Sequence, residues 1–190
     1  MLRDSSIYLI SVLISTLIAF LTLPFFTQYL SISDYGLIAL FILFGGITAN
    51  FLSFGLQNAT LRFYFKYEKK HFALLNSTIV VFIICIFCFG GFFLIFPLAG
   101  WVSRSVFNGE ISAELLKLSF ISGCFHYFYI YFNHLLTVQK RAISASIINV
   151  SHILINVSIT FYLIKYQSLT YMAAIYALLI SNILMSIISF

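Results

Sequence analysis

A chain of 190 residues with 62% hydrophobic and only 8% charged residues has too much apolar surface to hide in a core of its own, whereas soluble domains carry roughly 25% charge. A water-soluble globular domain is excluded, and lipid is the solvent that suits the composition. The net charge of +5 does not imply a nucleic-acid partner, because the cations are few and scattered between apolar runs where no patch can track phosphates.

A helix needs about 20 apolar residues to cross about 30 Å of hydrocarbon. Six runs reach that length, over residues 7–26, 35–61, 72–102, 118–138, 142–164 and 168–190, and none has Asp, Glu, Lys or Arg in its interior. The expected fold is therefore an all-α, polytopic membrane helix bundle of about six spans. The first run follows Arg3 but is too long for the apolar region of a signal peptide and lacks a small-x-small cleavage site, so it reads as a retained helix. Pro24 within it removes a backbone donor and is expected to kink or loosen it. Residues 28–34 read as a polar turn, residues 66–71 as a basic loop, and residues 103–117 as a longer connector. In that connector Asn108-Gly109 signals a turn and residues 114–117 open the fourth helix. Gln139-Lys140-Arg141 and Lys165-Tyr166-Gln167 read as tight turns between antiparallel helices. Cys85 and Cys88 form a C-x-x-C inside an uncharged run, and Cys124 lies in another. Without further ligands or water access all three read as structural.

The loops are asymmetric. Arg3, Arg62, Lys66, Lys69, Lys70, Lys140 and Arg141 fall on one side, against Arg104, Lys117 and Lys165 on the other. The positive-inside rule places the first set, and with it the N-terminus, in the cytoplasm. The last span stops at residue 190 with no basic anchor, so a longer protein is expected.

Polar residues recur at helical spacing in several spans. Gly46, Asn50, Ser53, Gln57 and Thr60 do so in the second, Ser119, Gly123, His126, Asn133 and Thr137 in the fourth, and Ala145, Asn149, His152, Asn156 and Thr160 in the fifth. Ser11, Ser15, Ala19 and Thr22 form a weaker stripe in the first. Two readings stand. Small and polar residues let membrane helices approach and hydrogen-bond, or the same groups line a hydrated pathway. Arg62 is either a snorkelling anchor or a cation facing that pathway. His126, His134 and His152 titrate near neutrality or serve as hydrogen-bonded packing residues. The spans hold no carboxylate pair, no Ser-His-Asp set, no glycine-rich phosphate loop and no metal-ligand cluster, so neither catalysis nor a cofactor nor a metal is expected.

The stretch Leu23-Pro24-Phe25-Phe26-Thr27-Gln28-Tyr29-Leu30-Ser31-Ile32-Ser33-Asp34-Tyr35-Gly36 resembles the first helix and turn of the polysaccharide-exporter family, the Wzx-type O-antigen flippases of the multidrug/oligosaccharidyl-lipid/polysaccharide exporter superfamily. Phe54-Gly55-Leu56-Gln57-Asn58-Ala59-Thr60-Leu61-Arg62-Phe63-Tyr64-Phe65 is similar to the end of that family's second helix. Gln139-Lys140-Arg141-Ala142 resembles its turn between helices four and five, and Ser168-Leu169-Thr170-Tyr171-Met172-Ala173-Ala174 its entry to helix six. Gln28 departs from the family, which commonly has a basic residue there.

The resemblance implies one bundle, residues 1–190, of a two-bundle MATE-like transporter, the second bundle being absent. It implies a flippase that carries undecaprenyl-pyrophosphate-linked oligosaccharide across the bacterial inner membrane by alternating access, for O-antigen or capsule synthesis. The implied partners are that lipid-linked oligosaccharide, membrane lipid and other polysaccharide assembly proteins. Arg62 becomes the candidate cation for the pyrophosphate, and Asn50, Ser53, Gln57, His126, Asn133, Asn149, His152 and Asn156 become candidate pathway residues. The rival readings are a multidrug or cation antiporter of the same superfamily, and a membrane scaffold or enzyme of a glycan assembly complex.

Overall fold

The computed structural model describes residues 2–67, 69–91, 96–109, 111–167 and 169–189, with residues 2–5, 57, 61, 69, 70, 89 and 96 described as backbone alone. These residues form eight helices: α1 (Leu2–Tyr29), α2 (Ile32–Ser53), α3 (Leu56–Tyr64), α4 (Lys69–Phe89), α5 (Phe96–Ser105), α6 (Ala113–Val138), α7 (Ala142–Gln167) and α8 (Tyr171–Ser189). Among the described residues there is no strand. The chain is an all-α, multi-pass membrane protein, as its composition requires.

Five helical stretches among the described residues are long and apolar enough to cross a membrane: Ser6–Tyr29, Ile32–Tyr64, His71–Cys88, Ala142–Gln167 and Tyr171–Ser189. The expected span at 118–138 lies within α6, whose 26 residues rise about 39 Å. Its His, Asn and Tyr residues dilute the hydropathy that the other spans have. The expected run 72–102 contains two described helices, with residues 92–95 between them outside the described residues. α4 runs to Phe89, Gly90 and Gly91 follow in π-helical conformation, and α5 is described from Phe96. The run 35–61 is broken, because Phe54 (φ 38°) and Gly55 (φ 73°) leave the right-handed helical region between α2 and α3. Pro24, by contrast, lies inside α1 without ending it.

The turns have local causes. Ser31 caps α2: its backbone N–H and its hydroxyl donate to Asp34 Oδ2 at 2.9 and 2.7 Å, and the Asp34 N–H returns to Ser31 Oγ at 3.2 Å. This is a reciprocal capping box. Asn108 and Gly109 take positive φ, as the Asn-Gly signal foretold. Gly109 N–H donates to the Ser103 carbonyl at 2.9 Å. Lys140 turns the chain with φ 58°, and Arg141 N–H closes on the Leu136 carbonyl at 2.9 Å. The expected turn at 165–167 is the last turn of α7 instead.

The chain divides into two compact units. The first comprises residues 1–41 and 128–190. Within it α7 packs against both α1 and α8. Phe25 of α1 stacks on Phe161 of α7 with centroids 4.5 Å apart. Alanines and serines (Ala173, Ala177, Ser181) put small buried groups on one face of α8, four residues apart, which lets backbones approach. The second unit is residues 42–127. There α2 and α6 cross at Gly45 and Gly123. A methyl group on Gly123 would stand 2.9 Å from Thr48 Cβ, so only glycine fits. Phe87 stacks on Phe120 at 5.8 Å, and Tyr64 of α3 meets Phe72 of α4 edge-on at 5.0 Å.

Candidate functional site

Uncharged hydrogen-bonding groups from three helices meet in the first unit. Asn149, His152 and Asn156 follow one another at steps of three and four on one face of α7. Tyr129, buried on α6, donates its hydroxyl to Asn149 Oδ1 at 3.1 Å. Its ring stacks on the His152 imidazole, with centroids 4.6 Å apart and planes at 18°. His152 Nε2 lies 2.9 Å from Asn182 Oδ1 on α8. This bond joins the imidazole of α7 to the amide of α8. One turn on, Asn156 Nδ2 donates to Ser181 Oγ at 3.5 Å. Ser181 in turn donates to the Leu178 carbonyl at 3.0 Å. Asn133 joins the cluster through a side-chain hydrogen bond with Tyr129, while its own Oδ1 is buried and has no partner among the described residues.

The structure thus brings four of the expected residues together: Asn133, Asn149, His152 and Asn156. The others lie in the second unit. Asn50 and Arg62 are exposed and Ser53 and His126 half-buried. Ser53 Oγ is spent on the Asn50 carbonyl at 2.7 Å, and Thr60 Oγ1 on that of Leu56 at 2.8 Å. The Gln57 side chain lies outside the described residues. Because Phe54 and Gly55 interrupt the helix, the second stripe does not run down one helical face.

Arg62 stands on α3. The 22 residues of α2 rise about 33 Å, enough to cross hydrocarbon about 30 Å thick. α3 follows that length of helix, and the Arg62 side chain on it is exposed.

Spacing alone did not reveal Tyr129, Ser181 and Asn182. The signal for Tyr129 was the gap of seven between His126 and Asn133, which a residue at 129 divides into three and four. Asn182 is the one amide in α8, which was a cue in itself. Chemically, the cluster offers amides, a hydroxyl, a phenol and an imidazole, which donate and accept hydrogen bonds without net charge. Among the described residues no three His, Cys, Asp or Glu side chains gather as a metal site needs.

Fold and site define a class, the multi-pass helical membrane protein with neutral polar groups deep in its spans. The family follows. The sequence profile of the polysaccharide biosynthesis protein family matches residues 1–190, and the chain belongs to that family. It is 27% identical over 191 residues to a protein of Haemophilus influenzae described as an uncharacterized membrane protein, an alignment covering 100% of this chain and 44% of that one. The chain therefore spans less than half the length of this relative. No solved structure matches it.

Proposed function

We propose that the protein is a flippase, of which this chain supplies one helix bundle. It carries undecaprenyl-pyrophosphate-linked oligosaccharide across the inner membrane by alternating access, forming no covalent bond to it. The cargo feeds O-antigen or capsule synthesis, and other polysaccharide assembly proteins are its neighbours. The N-terminus lies in the cytoplasm.

One observation carries this reading: the α6–α7–α8 cluster is not fully satisfied by packing. Buried polar atoms in settled interfaces find partners. Here the Asn133 carbonyl has none among the described residues, and the Asn156–Ser181 bond is stretched to 3.5 Å. Sugar hydroxyls, which both donate and accept, suit such groups, and so does the water that accompanies them. The cluster contains no carboxylate, lysine or arginine, so it meets an uncharged glycan through hydrogen bonds. Arg62, an exposed cation on α3, is the group this reading assigns to the pyrophosphate, which crosses with the sugars it carries. Family membership supports the class of cargo.

The test is transport by the full-length protein in proteoliposomes loaded with a fluorescent undecaprenyl-pyrophosphate disaccharide, read by protection from an external quencher. Asn133→Leu and Asn156→Leu are each expected to slow transport about five-fold, the worth of one hydrogen bond of about 1 kcal/mol. Arg62→Ala is expected to weaken uptake of the lipid. Full glycan transport by all three variants would overturn the site. Extrusion of cationic dyes in place of the glycan would favour an antiporter, and loss of export with partner capture unchanged would argue against a scaffold.

A further inference from the structure

α1 and α7 run side by side in the same direction. Phe25 and Phe161 stack near their C-terminal ends, while residues 7–14 and 143–151 face each other near their N-terminal ends across a groove of about 360 Å³. That volume lies within the range of about 300–1,000 Å³ of small-molecule sites. Six branched aliphatic side chains and three serines line it. Ile10, Ile14, Ile143 and Ile147 are exposed, so the groove opens outward along apolar walls.

Two features say what fills it. The first is Ser146. This residue is only 8% exposed and lines the groove, yet its hydroxyl has no hydrogen-bond partner among the described residues. Ser11, across the groove, donates to the Tyr8 carbonyl at 2.8 Å. An alkyl chain cannot take the Ser146 hydrogen bond, but a carbonyl oxygen can. The second is charge. Lys140 and Arg141 are exposed at the same end of the groove, beside the positive end of the α7 dipole. Ser146 lies five residues further along, about 7 Å down the axis.

We propose that the groove holds one acyl chain of an anionic diacyl glycerophospholipid. Its phosphate rests at Lys140 and Arg141, and its ester carbonyl, a glycerol's length below, accepts from Ser146 Oγ. A polyprenyl pyrophosphate has the charge and the chain but no ester, so the serine selects a structural bilayer lipid over the exporter's cargo. The site stands whether or not the export reading does.

Native mass spectrometry of the full-length protein in mild detergent tests this, by titration with dioleoyl-phosphatidylglycerol, dioleoylglycerol or undecaprenyl phosphate. Phosphatidylglycerol is expected to saturate one tight site and to outcompete both other lipids. Ser146→Ala should weaken phosphatidylglycerol about five-fold, the worth of one hydrogen bond, and leave undecaprenyl phosphate unchanged. Lys140→Gln with Arg141→Gln should weaken phosphatidylglycerol about thirty-fold, from two interfacial cations. Ile147→Trp, which fills the groove, should abolish the tight site while the protein still elutes as a folded species. Equal phosphatidylglycerol affinity in wild type and Ser146→Ala, or preference for undecaprenyl phosphate, would overturn the proposal. So would Ile147→Trp that keeps its lipid but loses stability, the behaviour of a groove covered by another helix.

Discussion

His152 and Asn182 illustrate how little one helix reveals about its partner. The spacing of Asn149, His152 and Asn156 placed them on one face of α7, and they are on one face. Nothing in that spacing says which helix they meet, because a hydrogen bond between residues 30 apart in sequence leaves no trace in local periodicity. The energetic consequence can be stated. Interhelical hydrogen bonds in membranes average about 0.6 kcal/mol and reach about 1.7 kcal/mol. The His152 ring is also stacked on Tyr129, which adds about 0.5–1.5 kcal/mol for a favourable ring pair. His152→Ala is therefore expected to cost about 1–3 kcal/mol, more than Asn182→Leu, in equilibrium unfolding from detergent micelles. In a double-mutant cycle the pair should couple by about 0.6–1.7 kcal/mol. Zero coupling would mean that the imidazole and the amide do not bond in the membrane.

Helix breaks were the least legible elements, for a physical reason. Hydropathy measures solvent preference, and both sides of the Phe54–Gly55 break prefer lipid, so a continuous span 35–61 was the natural reading. What breaks the helix is backbone: Gly55 at φ 73° occupies a region that a Cβ disfavours by roughly 1 kcal/mol or more. Gly55→Ala is expected to destabilise by about 1–2 kcal/mol and to pull α2 and α3 toward one continuous helix, read by the spacing between spin labels on Ile47 and Phe65. The crossing of α2 and α6 depends on glycine differently. Gly123→Ala would drive a methyl into Gly45 and Thr48, at about 1–3 kcal/mol for overpacking. Gly46→Ala meets nothing within 4 Å and should be neutral or slightly stabilising, since alanine is the better helix former. Comparing Gly123 with Gly46, the immediate neighbour of Gly45 in sequence, separates close packing from general loss of flexibility. Equal thermal shifts in Gly123→Ala and Gly46→Ala would show that the crossing is not tight.

At the scale of the whole molecule the membrane class was legible from composition alone, while the number of crossings turns on α6. By hydropathy α6 is not among the five spans. Yet it has no Asp, Glu, Lys or Arg between Lys117 and Lys140, and it is long enough to cross. Its polarity has a structural reason. Ser119, Ser122, Cys124, Tyr127, Tyr129, Tyr131 and Phe132 are all buried, so α6 shows lipid little of itself and has no need of a uniformly apolar surface. α1, by contrast, exposes Leu9, Val12, Leu13, Leu17, Phe20 and Leu21. A hydropathy threshold calibrated on lipid-facing helices passes over a helix shielded in this way. The parity of crossings then decides sidedness. If α6 crosses, Lys66 and Lys140 share one face of the membrane and Asn108 lies on the other. Single cysteines at these positions, in a background with Cys85, Cys88 and Cys124 replaced by Ala, settle it with a membrane-impermeant maleimide. Cysteines at 66 and 140 are expected to react only in inside-out vesicles and a cysteine at 108 only in intact cells. Reaction of 66 and 140 from opposite faces would remove α6 from the set of spans. The Tyr129–Asn149 bond would then have to form at the membrane surface, where the bonding groups could be satisfied by water and the cluster would lose its reason to face a glycan.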